Sequence, residues 1–96
     1  MRTVSAVHVT LKVFPPFTSK PHTVERRYAL PEDSRLIDVL RAAQSEGLLD
    51  LGRVVGEDSE VREGAVILVN GRAVFNADYE LHGNDRVVVL PLAPGG

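Results

Sequence analysis

The sequence predicts an α+β fold, a mixed sheet of four to five strands with one main helix packed on one face. Three features predict it. Two segments near the N-terminus alternate apolar and polar residues with the period of a strand. A single segment in the middle repeats its apolar residues at helical spacing. The last third returns to short β-type runs, two of them separated by Asn70-Gly71. One helix covering one sheet is a stable layer pair for a chain of 96 residues, a length that fits a single domain.

Val4 to Phe14 reads as the first strand, with Val7, Val9, Leu11 and Val13 on one face and His8, Thr10 and Lys12 on the other. Pro15-Pro16 stops it, because proline gives no donor to a ladder. A loop through Thr18-Ser19-Lys20-Pro21 leads to a second strand, Thr23 to Leu30. Val24, Tyr28 and Leu30 point inward there, and Arg26 is the exception on that face. Pro31-Glu32-Asp33-Ser34 reads as a helix start, with Asp33 or Ser34 as the cap. The helix runs from Arg35 to Glu46. Leu36, Val39, Leu40 and Ala43 form its apolar stripe, Asp38 complements the dipole, and Gly47 stops it.

Leu48 to Leu51 reads as a turn that plugs the end of the core. Gly52 to Gly64 reads as a charged surface loop, with room for a short strand at Arg53 to Val55. Ala65 to Val69 is a strand of buried type. Asn70-Gly71 is a hairpin turn, since both residues tolerate positive φ, and Arg72 to Val74 returns. Asn76 to Asp85 is a polar connection with Leu81 as a core contact and Gly83-Asn84 as a turn. Arg86 to Leu90 is continuously apolar after its first residue, the pattern of a strand at the centre of a sheet. The domain then spans residues 1–91, and 92–96 form a flexible tail.

Composition removes several classes of function. The net charge is -2, and Arg26-Arg27 is the only adjacent basic pair, so a nucleic-acid backbone is not the expected partner. There is no cysteine, which excludes thiolate nucleophiles and disulfides. No run has the length of a membrane span, and the N-terminus lacks the apolar core of a signal peptide; a cytoplasmic location with no membrane partner is expected. Glu57, Asp58, Glu60 and Glu63 lack the spacing of a calcium loop. His8, His22 and His82 lack zinc spacing. No metal, no bound cofactor and no stand-alone catalytic set is expected. Phe75, at a strand end, is either a core residue or part of a partner patch.

The C-terminus is the chemical handle. Pro91-Leu92-Ala93-Pro94-Gly95-Gly96 is kept extended by its prolines. At about 3.1 Å per residue it could reach roughly 15–20 Å beyond the sheet. A terminal glycine pair arises by chance about once in 200 chains, so the pair gains weight only from the strand that feeds it. Without side chains at Gly95 and Gly96, the tail can enter a narrow channel in another protein. The Gly96 carboxylate is ionised at neutral pH and is a poor electrophile. The chain has no phosphate-binding loop to activate it, so activation must come from a partner.

The order of strand, strand, helix, two short strands and strand is that of the β-grasp fold, in which the last strand lies parallel beside the first. Three segments resemble the MoaD/ThiS family of ubiquitin-like sulfur carriers. Val66-Ile67-Leu68-Val69-Asn70-Gly71-Arg72 is similar to the family's "VNG" hairpin. Leu81-His82-Gly83-Asn84-Asp85-Arg86-Val87 is similar to its "L-x-x-G-D-x-V" lead into the last strand, with Asn84 added before the Asp. Leu90 to Gly96 resembles the "P-P-x-x-G-G" ending of the small subunit of molybdopterin synthase, with Leu92 in place of the second proline. The Pro15 to Pro21 loop is longer than in compact members.

The resemblance implies that a ubiquitin-activating-type enzyme adenylates Gly96 with ATP and that a sulfur donor then leaves a thiocarboxylate. Pro91, Leu92, Ala93, Pro94, Gly95 and Phe75 would contact partners. The acceptor would be held by the molybdopterin synthase large subunit or by a thiazole synthase of thiamine formation, and the ending favours the first. A ubiquitin-like modifier of lysines and a non-catalytic interaction module are the other readings.

Overall fold

The computed structural model describes residues 6–92, so Val4 and Ser5 of the expected first strand and residues 93–96 of the expected tail lie outside the described residues. Two strands open the fold, β1 (Ala6–Val13) and β2 (Val24–Pro31). They pair antiparallel from Ala6 opposite Pro31 to Val13 opposite Val24. Helix α1 (Leu36–Ser45) follows, then a four-residue helix α2 (Leu51–Val54). The chain returns as β3 (Ala65–Val69), β4 (Arg72–Val74) and β5 (Asp85–Pro91). The sheet order is β2-β1-β5-β3-β4, with β5 parallel to β1 and antiparallel to β3. The last strand therefore sits at the centre beside the first, as the apolar run from Val87 predicts.

One sheet face makes the core. Val7, Val9, Leu11 and Val13 of β1, Ile67 and Val69 of β3, and Val87 and Val89 of β5 are buried on it. Leu36, Val39, Leu40 and Ala43 of α1 close over them, each 0% exposed. Leu49, Leu81 and Phe17 seal the margins. Phe17 thus belongs to the core although it follows the Pro15-Pro16 stop. Its carbonyl accepts the Asp50 N–H at 2.8 Å and ties the long hairpin loop to the start of α2.

The helix ends are built differently from each other. Neither Ser34 nor Asp33 caps α1, contrary to the expectation from sequence. The Ser34 hydroxyl instead donates to the Pro31 carbonyl at 2.6 Å, and Asp33 takes a positive φ of 72° in that turn. The cap position is Arg35, whose N–H is accepted by the Asp38 carboxylate at 2.8 Å. The free N–H groups of Leu36 and Ile37 donate to the carbonyls of Tyr79 and Ala77. A tertiary contact from the β4–β5 connection therefore does what a side-chain cap usually does. At the other end the pattern is local. Gly47 adopts φ 75°, its N–H reaches the Gln44 carbonyl, and the Leu48 N–H reaches that of Ala43. This is the paired-bond stop that glycine permits. The Glu46 carboxylate lies at the negative end of the helix dipole, where it is unfavourable alone. Tyr28 Oη donates to it at 2.6 Å and Arg26 at 3.3 Å, which is why Arg26 occupies an otherwise apolar face of β2.

Two further expectations need correction. Arg53 to Val55 is not a strand: α2 covers Leu51–Val54, and only Val55 makes an isolated bridge, with Val61. The Leu51 N–H donates to Gln44 Oε1 at 3.0 Å, so the last turn of α1 starts the short helix. Pro91 does not leave the sheet. It is the last residue of β5, opposite Ala65, and the Leu92 N–H donates to the Gly64 carbonyl at 2.9 Å. The alternation explains how a proline fits. Even-numbered residues of β5 bond β3, while the N side of Pro91 faces β1, which has already turned away after Phe14 bonds Val89.

Candidate functional site

The site has two parts, the end of β5 and the sheet face opposite α1. β5 is held on both sides, by Asn84 and Phe14 contacts with β1 and its flanks and by a five-pair ladder with β3. It delivers the chain to an exposed lip of Pro91 and Leu92, the latter 60% exposed. Ala93, Pro94, Gly95 and Gly96 continue directly from this lip and lie outside the described residues.

The start of β5 is fastened as firmly as its end is presented. Asn70 and Gly71 both have positive φ, 53° and 84°, as the tight hairpin requires. The Asn70 side chain then reaches across to β5. Its Nδ2 donates to Asp85 Oδ1 at 2.8 Å, and its Oδ1 accepts the Arg86 N–H at 2.9 Å. Asp85 is buried, and its second oxygen accepts the His82 N–H at 2.8 Å. The two motifs that the sequence presents separately, around Asn70-Gly71 and around Gly83-Asn84-Asp85, are one hydrogen-bonded unit. No buried side-chain polar atom among the described residues lacks a partner.

The outer sheet face can be mapped from the registers. Leu68 stands between Val88 of β5 and Ala73 of β4, and Val66 stands beside Leu90. The same alternation places Phe75, one residue past β4, next to Val66. These side chains are half-buried or exposed, and Phe75 is 78% exposed, so it is not a core residue. Lys12 Nζ lies 5.6 Å from the Phe14 ring centre at the margin of the patch. No described element covers this face. The sequence singles out Phe75 alone here. Val66, Leu68, Val88 and Leu90 are missed because a continuous apolar run reads as burial on both faces, whereas α1 covers one.

His8, His22 and His82 are separate and exposed, and no group of three metal-ligating side chains exists among the described residues. No pocket is present among them either. No described helix is long and apolar enough to cross a membrane. Tyr28 is the one described group with a clear pKa displacement. Partial burial, the bond to Glu46 and the Glu46 charge push its phenol well above the usual value.

A terminal strand gripped at the sheet centre, ending in an exposed proline lip beside an open apolar face, defines a ubiquitin-like β-grasp protein. No protein-family model matches the chain, and no curated protein sequence does so. Solved structures do. A Pyrococcus furiosus chain assigned as molybdopterin converting factor subunit 1 is 31% identical, with a TM-score of 0.69 over 91% of this chain and 99% of that one. The Haloferax volcanii HVO 2177 protein is 28% identical, with a TM-score of 0.65 over 95% of this chain and 88% of that one. SAMP1 from Haloferax volcanii shares the fold at 24% identity and a TM-score of 0.68, over 93% of this chain and 99% of that one. The chain belongs to the MoaD/ThiS-type family of ubiquitin-like proteins.

Proposed function

We propose that this chain is a sulfur carrier whose Gly96 carboxylate is adenylated by a ubiquitin-activating-type partner and converted to a thiocarboxylate, in molybdopterin biosynthesis. The observation that carries the reading is the course of β5. The central strand ends at exposed Pro91 and Leu92, and in the sequence Ala93, Pro94, Gly95 and Gly96 follow. The relationship to the Pyrococcus furiosus converting-factor subunit supports the molybdopterin branch.

The chemistry balances without a redox partner. A Gly96 carboxylate oxygen attacks the α-phosphorus of ATP, and pyrophosphate leaves. Hydrosulfide, or a donor at the same oxidation level, then attacks the acyl carbon. The carbon–oxygen bond to AMP breaks with its electron pair on oxygen, one proton is released, and a thiocarboxylate remains. A synthase large subunit would receive the tail for transfer of that sulfur to its acceptor. The chain contributes reach and slenderness, and the enzymes contribute ATP and sulfur chemistry.

The test is intact-mass measurement after incubation with ATP, the adenylating enzyme and a sulfide source. The expected product ends at Gly96 and gains the difference between sulfur and oxygen. The chain lacking Gly96 stays unmodified and folded. Modification of that truncated chain sinks the proposal. Lysine conjugates on a denaturing gel of cell extract identify a protein modifier instead, and sulfur appearing in a thiazole rather than a pterin moves the chain to the thiamine branch.

A further inference from the structure

The apolar half of the outer sheet face lies toward the tail, but the other half has a different chemistry. The registers put Arg27, Thr10 and Arg86 in one row across β2, β1 and β5. Lys12 stands in the next row, with Val88 on one side and Glu25 on the other. Arg27 and Arg86 are exposed, and neither forms an ion pair with a described residue. They differ in this from Arg26 and Arg53, which pair with Glu46 and Asp50. Two inter-strand spacings separate the Arg27 and Arg86 backbones by about 10 Å. Six residues of strand put this row about 20 Å from Leu92. A chain of net charge -2 thus keeps a cationic row on the sheet face whose strand leads to Leu92.

We infer that this row docks against an acidic strip on the protein that activates the tail. The inference rests on the sulfur-carrier reading, since it names the surface by which that partner is found. It also fixes a geometry: the partner's acidic strip lies about 20 Å from the mouth of the channel that takes Leu92 onward. The apolar patch lies between this row and Leu92, so cation row, patch and the exposed Pro91-Leu92 end form one continuous line along β5. Exposed, unpaired charges of one sign chiefly raise the rate of encounter and select among partners.

The measurement is the carrier dependence of ATP–pyrophosphate exchange by the adenylating enzyme, at low and high salt. The full chain, the double variant R27E/R86E and the control R41E on the exposed face of α1 are compared. R27E/R86E is expected to raise KM on the order of tenfold at low salt with kcat unchanged, and the gap should close toward 0.5 M salt, roughly, as charges are screened. R41E should match the parent. Thermal unfolding checks that R27E/R86E is folded, and R27Q/R86Q should give an intermediate KM. An unchanged KM for R27E/R86E overturns the inference, and so does an equal rise for R41E. Loss of single-stranded oligonucleotide binding with unchanged KM also overturns it and assigns the row to nucleic acid. The chain lacking Gly96 separates the two proposals. If it is inert while R27E/R86E behaves as the parent, only the docking row fails; if it is still modified, the sulfur-carrier reading fails.

Discussion

The two faces of the same strands carry similar side chains with opposite consequences. On β5, Val87 and Val89 are 1% and 0% exposed under α1, whereas Val88 and Leu90 between them stay half-buried on an uncovered surface. β3 repeats the contrast, with Ile67 and Val69 inside and Val66 and Leu68 outside. An apolar residue on the inner face is explained by the stability of this chain. One on the outer face gains only the burial its strand neighbours give it, and the contiguous group they form is a candidate contact surface. Substitution therefore separates the faces: inner changes should cost stability, and outer changes should cost partner recognition.

The largest effect is expected inside. Leu40→Ala empties a site that is 0% exposed and should lower the unfolding free energy by about 2–5 kcal/mol in urea titration. A loss below 1 kcal/mol, roughly, would break the comparison, because the inner face would then tolerate voids like a surface.

Next comes the polar unit at the base of β5. Asp85→Ala removes the acceptor for Asn70 Nδ2 and the His82 N–H and should cost about 1–3 kcal/mol. Hydrogen exchange should quicken at Asn70 and Arg86 before it does in α1, since these amides bond the loosened junction.

The β2 margin is expected to respond to pH. Tyr28 has a raised pKa in the folded chain, so the folded state holds its phenol proton more tightly than the unfolded one. Its contribution is fully present below the unfolded value near 10 and is lost as pH rises past it toward the folded value. Stability should therefore fall above pH 10, roughly, and Tyr28→Phe should flatten that fall. An identical alkaline slope in Tyr28→Phe would remove Tyr28 from the account.

The smallest stability effect belongs to the outer face. Leu90→Ser should change unfolding by less than about 1 kcal/mol. It should nonetheless weaken capture by the activating enzyme, read as a rise in KM. A large stability loss with an unaltered KM would turn the patch back into core.

Much of the candidate site was legible in the chain, but unevenly. The strand periods, the helical stripe and the Asn70-Gly71 turn rest on local rules, and each appears where those rules place it. Phe75 was legible as an apolar residue at a strand end but not as an exposed one. Ser34 and Asp33 have the right chemistry to cap α1, but Ser34 bonds back to the Pro31 carbonyl and Asp33 takes a positive φ in the same turn. The helix N-terminus is completed by carbonyls of Ala77 and Tyr79, some forty residues further along. No local rule reaches that far.

The sequence by itself determined which residues alternate, where the chain turns and that a glycine pair, Gly95-Gly96, follows a run of strand. Those properties follow from φ preferences and from side-chain spacing along a few residues. Only the tertiary structure decided which face of β5 α1 would cover, that Pro91 could stay in the sheet because β1 had already turned away, and that Arg27 and Arg86 would share a row. Each of these depends on strand order and register, which are set by contacts between segments far apart in the chain.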